Sequence, residues 1–277
     1  MKTFFGCLRE DLHRAFGSWM FLLAAVGTCV ACILPYWEAV FTQGPVWGGY
    51  ILWHQVLTFD PFYNFLFLVL ACLPYSAAFC SDWDNRYIRS LCIRTGPSVY
   101  GASKTLACAL AGWSASFLGR AGYFALCMLL SGGHMEHPEY GLSSAQSDAA
   151  LSGGFSPLLS NGEIPGILLY ILLIILVQSL YAGCFAAMSL MVSSFLPNIF
   201  VTLASPVILI FVTDGIMTLL NFPLYLYPEV VGNCQMGGLA MGGVGTSFLY
   251  AAAFFAALTA LFGCLFTWKI GRRLDRG

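Results

Sequence analysis

Charge is what this sequence has least of. Asp, Glu, Lys and Arg together make up 9% of its 277 residues, against about 25% in an ordinary soluble domain. Water cannot solvate so uncharged a surface, so lipid must cover much of it. A basic footprint is missing as well: the formal net charge is −1, which speaks against nucleic acid as a partner. There is no phosphate loop of the form G-x-x-x-x-G-K-[ST], so no ATP site belongs to this chain. No His pair flanks a Glu on a helix, and no intramembrane Ser–His or paired-Asp set appears. An enzyme is therefore not expected, and no catalytic residue is assigned.

Cysteine is plentiful, yet a disulfide framework is lacking. Of eleven cysteines, seven (Cys29, Cys32, Cys72, Cys108, Cys127, Cys184 and Cys264) lie inside apolar runs, where the thiol behaves as a small hydrophobe. Cys7 and Cys92 fall in charged segments, Cys80 borders one, and Cys234 stands alone in its loop. This usage fits a reducing cytosol and a bacterial plasma membrane.

What is there, in quantity, is apolar sequence: 59% of the chain, with 16% aromatic. A helix needs about 20 apolar residues to cross the hydrocarbon layer, and six runs qualify: 16–36, 62–81, 103–131, 165–193, 197–220 and 246–269. The first exceeds the ~7–15 residues of a signal-peptide core and lacks a small-residue cleavage site, so it reads as a retained span. The fold class expected is an all-α polytopic membrane protein with six transmembrane helices.

The cations orient these spans. Lys2, Arg9 and Arg14 precede the first, Arg86, Arg89, Arg94 and Lys104 fall between the second and third, and Lys269, Arg272, Arg273 and Arg276 follow the sixth. The loops 37–61, 132–164 and 221–245 contain no Lys or Arg but carry seven acids. Lys and Arg resist translocation, so both termini and the loop 82–102 are expected in the cytosol. Within residues 1–15, Phe4, Leu8 and Leu12 recur at helical spacing while Arg9, Glu10, Asp11, His13 and Arg14 fill the other face. That pattern predicts an amphipathic helix in the interface.

The outer loops read differently. Trp37, Trp47, Tyr50, Trp53, Phe59 and Tyr63 crowd the first, as in an aromatic belt. The second is rich in Gly, Ser and Pro and is expected to be mobile, whereas 221–245 is a candidate to dip into the membrane. Rows of small residues (Ala107, Ala111, Ala115, Gly119; Ser179, Gly183, Ala187; Ala252, Ala256, Ala260) predict close helix packing.

Two charges fall inside spans, Arg120 and Asp214, each seventeen residues beyond the cytosolic start of its run. At ~1.5 Å per residue they reach a similar depth. A lone charge there costs at least ~2.5–3.5 kcal/mol, which favours an ion pair between them; snorkelling to the outer interface is the alternative. His134, Glu136 and His137, with distant His54, make at most a chance surface arrangement, so no metal is expected.

The segment 79–107 carries a family likeness: Phe79-Cys80-Ser81-Asp82-Trp83-Asp84-Asn85, then Arg86, Arg89-Ser90-Leu91 and Arg94, then Ser103-Lys104-Thr105-Leu106-Ala107. It resembles the permease subunits of type 2 ABC exporters, in which the second span ends in an acidic residue, a short basic helix follows, and SK-x-L-A opens the third span. The layout over the whole chain is similar too. The residues themselves predict a short helix from Asp82 to Arg94, with Ile88, Leu91 and Cys92 on one side, stopped at Gly96-Pro97. The resemblance implies that Asp82, Asp84, Arg86, Arg89, Leu91 and Arg94 form a coupling helix. It would dock on a separate ATP-hydrolysing subunit that binds ATP and Mg, and a second permease subunit would complete a dimer working by alternating access. Leu130-Ser131-Gly132-Gly133, repeated at 151–154, looks like an ABC ATPase signature, but it lies on the outer side and is read as coincidence.

The spans are poor in charge and rich in Phe, Met and Leu, which suits an amphipathic or lipophilic cargo. The expected function is thus an exporter permease, with a peptide as best cargo. The alternatives are a secondary transporter or a non-transporting immunity or scaffold protein.

Overall fold

The computed structural model describes residues 2–42, 44–55, 61–85, 87–135, 153–160, 163–233 and 243–275. These residues form helices and connecting turns, with no strand among them. The helices are α1 (Lys2–Phe16), α2 (Trp19–Ile33), α3 (Trp37–Thr42), α4 (Gly44–His54), α5 (Pro61–Cys72), α6 (Ala78–Asp84), α7 (Ile88–Thr95), α8 (Pro97–Leu130), α9 (Ser156–Ser160), α10 (Ile164–Ser193), α11 (Ile199–Leu219), α12 (Pro228–Asn233) and α13 (Val244–Asp275).

Three of them, α10, α11 and the stretch Val244–Arg273 of α13, are long and apolar enough to cross a membrane, and the pair α1–α2, bent by 57°, brings the number to four. This is the signature of an integral membrane protein. The second expected span is broken: α5 is 12 residues long and stops at Cys72, and turns over 73–77 intervene before α6. Pro74 sits in that break, where a missing N–H does least harm. α8 runs for 34 residues but carries Lys104, Arg120 and several serines, which lower its hydropathy.

Helices α8 and α10 pack along each other at the centre, and α2, α5, α13 and α1 surround them. The close approach follows from small residues. A Cβ on Gly112 would come within 2.8 Å of both Ala186 Cβ and the Ala71 carbonyl, and one on Gly183 within 2.6 Å of the Ala109 carbonyl. Gly119 likewise lies against the Ala25 carbonyl of α2. Backbones this near each other gain dispersion contacts that larger side chains would forbid. α10 is buried all round from Tyr181 to Leu190, as expected of a helix without a polar face. The third small-residue row does not pack in this way: Ala256 and Ala260 of α13 are exposed.

α11 contains Pro206. A proline cannot donate to the carbonyl four residues back, which leaves Thr202 O free. Ser189 of α10 donates its hydroxyl to that oxygen, and Ser205 donates to it at 2.8 Å. The break in one helix becomes a hydrogen bond between two. The helix α11 starts at Ile199, two residues after the expected run begins, and Asn198 is its cap, with its side chain accepting from the Phe200 N–H at 2.9 Å.

The loops hold more structure than their composition announces. Tyr50 and Trp53 are 1% and 3% exposed, so both belong to the core and not to a headgroup belt. The kink at Gly48 (φ 73°) brings the start of this segment to the turn after α8, where Gly49 N–H donates to His134 O at 2.9 Å. Phe155 and Leu159 are fully buried, so part of the loop expected to be mobile is anchored. Residues 136–152 lie outside the described part.

A buried charge cluster and an unpaired intramembrane arginine

The first helix does not lie with its polar face wholly in water. Leu8, Leu12 and Ala15 pack on a cluster containing Tyr75, Phe79, Ile88, Tyr100 and Ile270, and Asp11 turns inward to 8% exposure. The interfacial helix thus docks on protein, and its inward carboxylate demands partners.

Lys104 supplies them. Although counted by sequence among cytosolic cations, it is 1% exposed. Its ammonium lies 2.8 Å from Asp82 Oδ2 and 3.3 Å from Asp11 Oδ1, and it donates to the Tyr75 hydroxyl at 3.0 Å. Three donors meet three acceptors, the full capacity of an ammonium. Tyr75 in turn donates to Asp11 Oδ1 at 2.5 Å, Ser103 to Asp11 Oδ2 at 2.9 Å, and Tyr100 to Asp82 Oδ2 at 3.0 Å. Arg14 approaches Asp82 Oδ1 at 3.7 Å. Two carboxylates and two cations balance, and the Lys104 ammonium also stands 5.0 Å and 5.4 Å from the Tyr75 and Tyr100 ring centres. Burial, and next the Asp82 charge, pushes the Tyr100 hydroxyl above its ordinary pKa and keeps it a donor. The same two causes push the Cys92 thiol up to about 11.

This cluster ties three chain segments together: α1 through Asp11, α6 through Asp82, and α8 through Lys104. Such buried networks are costly to break once formed, because removing one member strands the rest. A sequence signal for it existed in the SK pair at 103–104, but nothing in the pattern announced Asp11 as its partner.

Among the residues expected to couple, Asp82 is therefore internal. Leu91 is half-buried against the same core, while Asp84 and Arg94 are exposed. Arg86 lies outside the described residues, as does the side chain of Arg89. The single helix expected from Asp82 to Arg94 is two, α6 and α7, broken at 85–87. There the Asn85 amide donates to Ser81 O at 2.9 Å, competing with helical continuation. α7 turns Ile88 and Cys92 inward and presents Tyr87, Ile93 and Arg94, with Ile93 84% exposed. Gly96 (φ 82°) ends it.

The expected ion pair between Arg120 and Asp214 does not form. Arg120 is 8% exposed and donates to Gln178 Oε1 at 2.7 Å and, more weakly, to Ser116 Oγ at 3.4 Å. Its guanidinium stacks 4.4 Å from the Phe67 ring centre. Neutral acceptors and a ring face satisfy it where a carboxylate was expected. Asp214 instead lies beside Glu229 of α12, the two carboxyls acting on each other, and its Oδ1 has no hydrogen-bond partner. Burial, then the Asp214 charge, raises the Glu229 carboxyl above its ordinary range.

No family model, curated protein or solved structure matches the chain.

No three His, Cys, Asp or Glu gather into a metal site among the described residues. His134 is exposed at the turn after α8; His137 lies outside the described residues. Ten described cysteines are free thiols. Leu130–Gly133 is simply the end of α8 and its turn, with Gly133 N–H donating to Met128 O at 2.8 Å.

Proposed function

We propose that this chain is the permease subunit of an ATP-driven exporter, resembling type 2 ABC exporters. It would sit in a bacterial plasma membrane with both termini in the cytosol. Six crossings would be α2, the broken unit α5–α6, α8, α10, α11 and α13. The observation that carries the reading is the coupling elbow. α6 is tied into the bundle by the buried Asp82–Lys104–Asp11 cluster and α7 by the packing of Ile88 and Cys92, while Tyr87, Ile93 and Arg94 stand outward. An element that must pass a motor's stroke to a membrane bundle needs a stiff root and an exposed tip. The root also holds α1, so the first helix would move with the elbow.

A separate ATPase subunit would grip the tip, a second permease subunit would complete the path, and an amphipathic or lipophilic cargo, best a peptide, would cross between them. The test is co-purification with candidate cytosolic ATPases, followed by cargo-stimulated ATP hydrolysis in vesicles. Capture of an ATPase, and its loss on Ile93→Asp with Arg94→Glu, is expected. Failure to capture any ATPase sinks the reading.

One observation favours a secondary transporter: the neighbouring carboxyls of Asp214 and Glu229, a pair suited to carrying a proton. Uptake or export driven by a proton gradient without ATP, and abolished by Asp214→Asn, would establish it.

A further inference from the structure

A groove of about 870 Å³ runs along the outside of the bundle between α8 and α13, with α10 as its floor. Gly183, Cys184 and Phe255 form the buried floor, and Leu106, Ala256 and Cys264 stand at its exposed rim. Its walls are almost wholly apolar, and the volume is that of a ligand site, about 300–1,000 Å³. Along α13 it extends from Ala252 to Trp268, roughly 24 Å at the helical rise. That length takes an extended acyl chain from the interface past the midplane of a hydrocarbon layer ~30 Å thick.

The end of the groove is what selects an occupant. Trp268 closes it at the basic end of the bundle, half exposed. Arg272, one turn on and hence on the same helix face, stacks its guanidinium 4.2 Å from the Trp268 ring centre. Among the side chains described, which do not include that of Asp275, none of Lys269, Arg272 and Arg273 meets a carboxylate. An apolar trough ending in a guanidinium matches one amphiphile chemistry: an aliphatic tail with an anionic head. From this juxtaposition we infer that the groove binds an anionic glycerophospholipid of the leaflet facing the basic end, with an acyl chain between α8 and α13 and its phosphate at Arg272. The inference uses the membrane placement proposed above but not the ATPase partnership, so either can fail alone.

Trp113 lines the groove nine residues beyond Lys104, about 14 Å deeper along α8. The tryptophan fluorescence lost on Trp113→Phe therefore reports the groove near mid-bilayer. The full chain is reconstituted in phosphatidylcholine vesicles with rising fractions of either phosphatidylglycerol or phosphatidylcholine carrying mid-chain bromines. Quenching of the Trp113 component is expected to saturate at an about fivefold lower fraction of the anionic lipid, the worth of one cation beside an anionic headgroup. Arg272→Gln should bring the two curves together, and Ala256→Phe should lower quenching by both lipids while the folded helix content is kept. Coincident curves for the unsubstituted chain, or selectivity that survives Arg272→Gln, overturn the assignment. So does a Trp113 component quenched by neither lipid, the result expected if a second copy of the chain fills the groove.

Discussion

The two ends of the bundle treat buried charge in opposite ways. At the basic end, Lys104, Asp11, Asp82 and Arg14 compensate one another, and every donor of the Lys104 ammonium has an acceptor. At the acidic end, Arg120 has only an amide oxygen, a hydroxyl and a ring face, while the nearby carboxyls of Asp214 and Glu229 pair with each other. Equal depth along a helix did not bring Arg120 and Asp214 together: α10 offers Arg120 an acceptor in Gln178, and Asp214 lies beside Glu229 of α12. A neutral cluster is a fastening. Arg120 on α8 and the carboxyls on α11 and α12 are charges that the fold keeps separate.

The largest expected effect is at the fastening. Lys104→Met leaves two buried carboxylates with Arg14 alone, and should cost about 3–5 kcal/mol, read as a lowered midpoint in thermal unfolding of the detergent-purified chain. Arg120→Met removes one charge and strands only Gln178 and Ser116, so a loss of about 1–3 kcal/mol is expected. If the order of these two midpoints is reversed, the contrast between the ends collapses.

A double-mutant cycle on Asp11 and Lys104 sharpens it. Residues in one buried network couple by about 0.5–3 kcal/mol, whereas Asp11 with Arg120 should be additive. Equal coupling in both pairs would mean that the cluster is not a local unit.

Thiol chemistry gives a milder probe. Cys92, pushed up to about 11 by burial and then by the Asp82 charge, should react slowly with maleimide at pH 8, since the thiolate is the nucleophile. Lys104→Met loosens the α6–α7 elbow and should speed that labelling; unchanged kinetics would show that the elbow is held by its apolar packing alone.

The smallest effect is expected at the acidic end, in pH dependence. The Glu229 carboxyl is raised, so the folded state binds its proton more tightly than the unfolded chain does. Its stabilising share is complete below the ordinary glutamate pKa of about 4.3 and fades as pH rises through the higher folded value. Amide-exchange protection of 228–233, corrected for intrinsic rates, should fall with rising pH over that window, and Glu229→Gln should flatten the profile. A rise in protection with pH would contradict a raised Glu229 carboxyl.

Much of the helical fold was legible because its signal is periodic and long. Runs such as 165–193 and 246–269 coincide closely with α10 and α13, since a helix apolar all round needs no partner to be recognised. The break at 73–77 was not, because Leu73, Pro74 and Tyr75 are as apolar as the span they interrupt. Tyr50 and Trp53 read as belt residues in sequence, and it is the packing of α4 against α8 that makes them core. The site was legible by halves. Asp82 and Lys104 stood out as a pattern, yet their burial and the bond of Lys104 to Asp11 depend on the 57° bend between α1 and α2, a long-range fact that no local spacing encodes. The pair of Arg120 and Asp214 was inferred from depth alone, and depth says nothing of azimuth around the bundle axis.

The hydrogen bond from Ser189 to Thr202 has a consequence for how this sequence can vary. It exists because Pro206 vacates the carbonyl it would otherwise fill. A chain that replaced Pro206 by alanine would regain the backbone bond and leave the Ser189 hydroxyl redundant, free to drift to alanine. One that kept the proline and lost the serine would leave the Thr202 oxygen to the Ser205 hydroxyl of its own helix and remove the bond between the two helices. Positions 189 and 206, seventeen residues apart and on different helices, should therefore change in that order and seldom in the other.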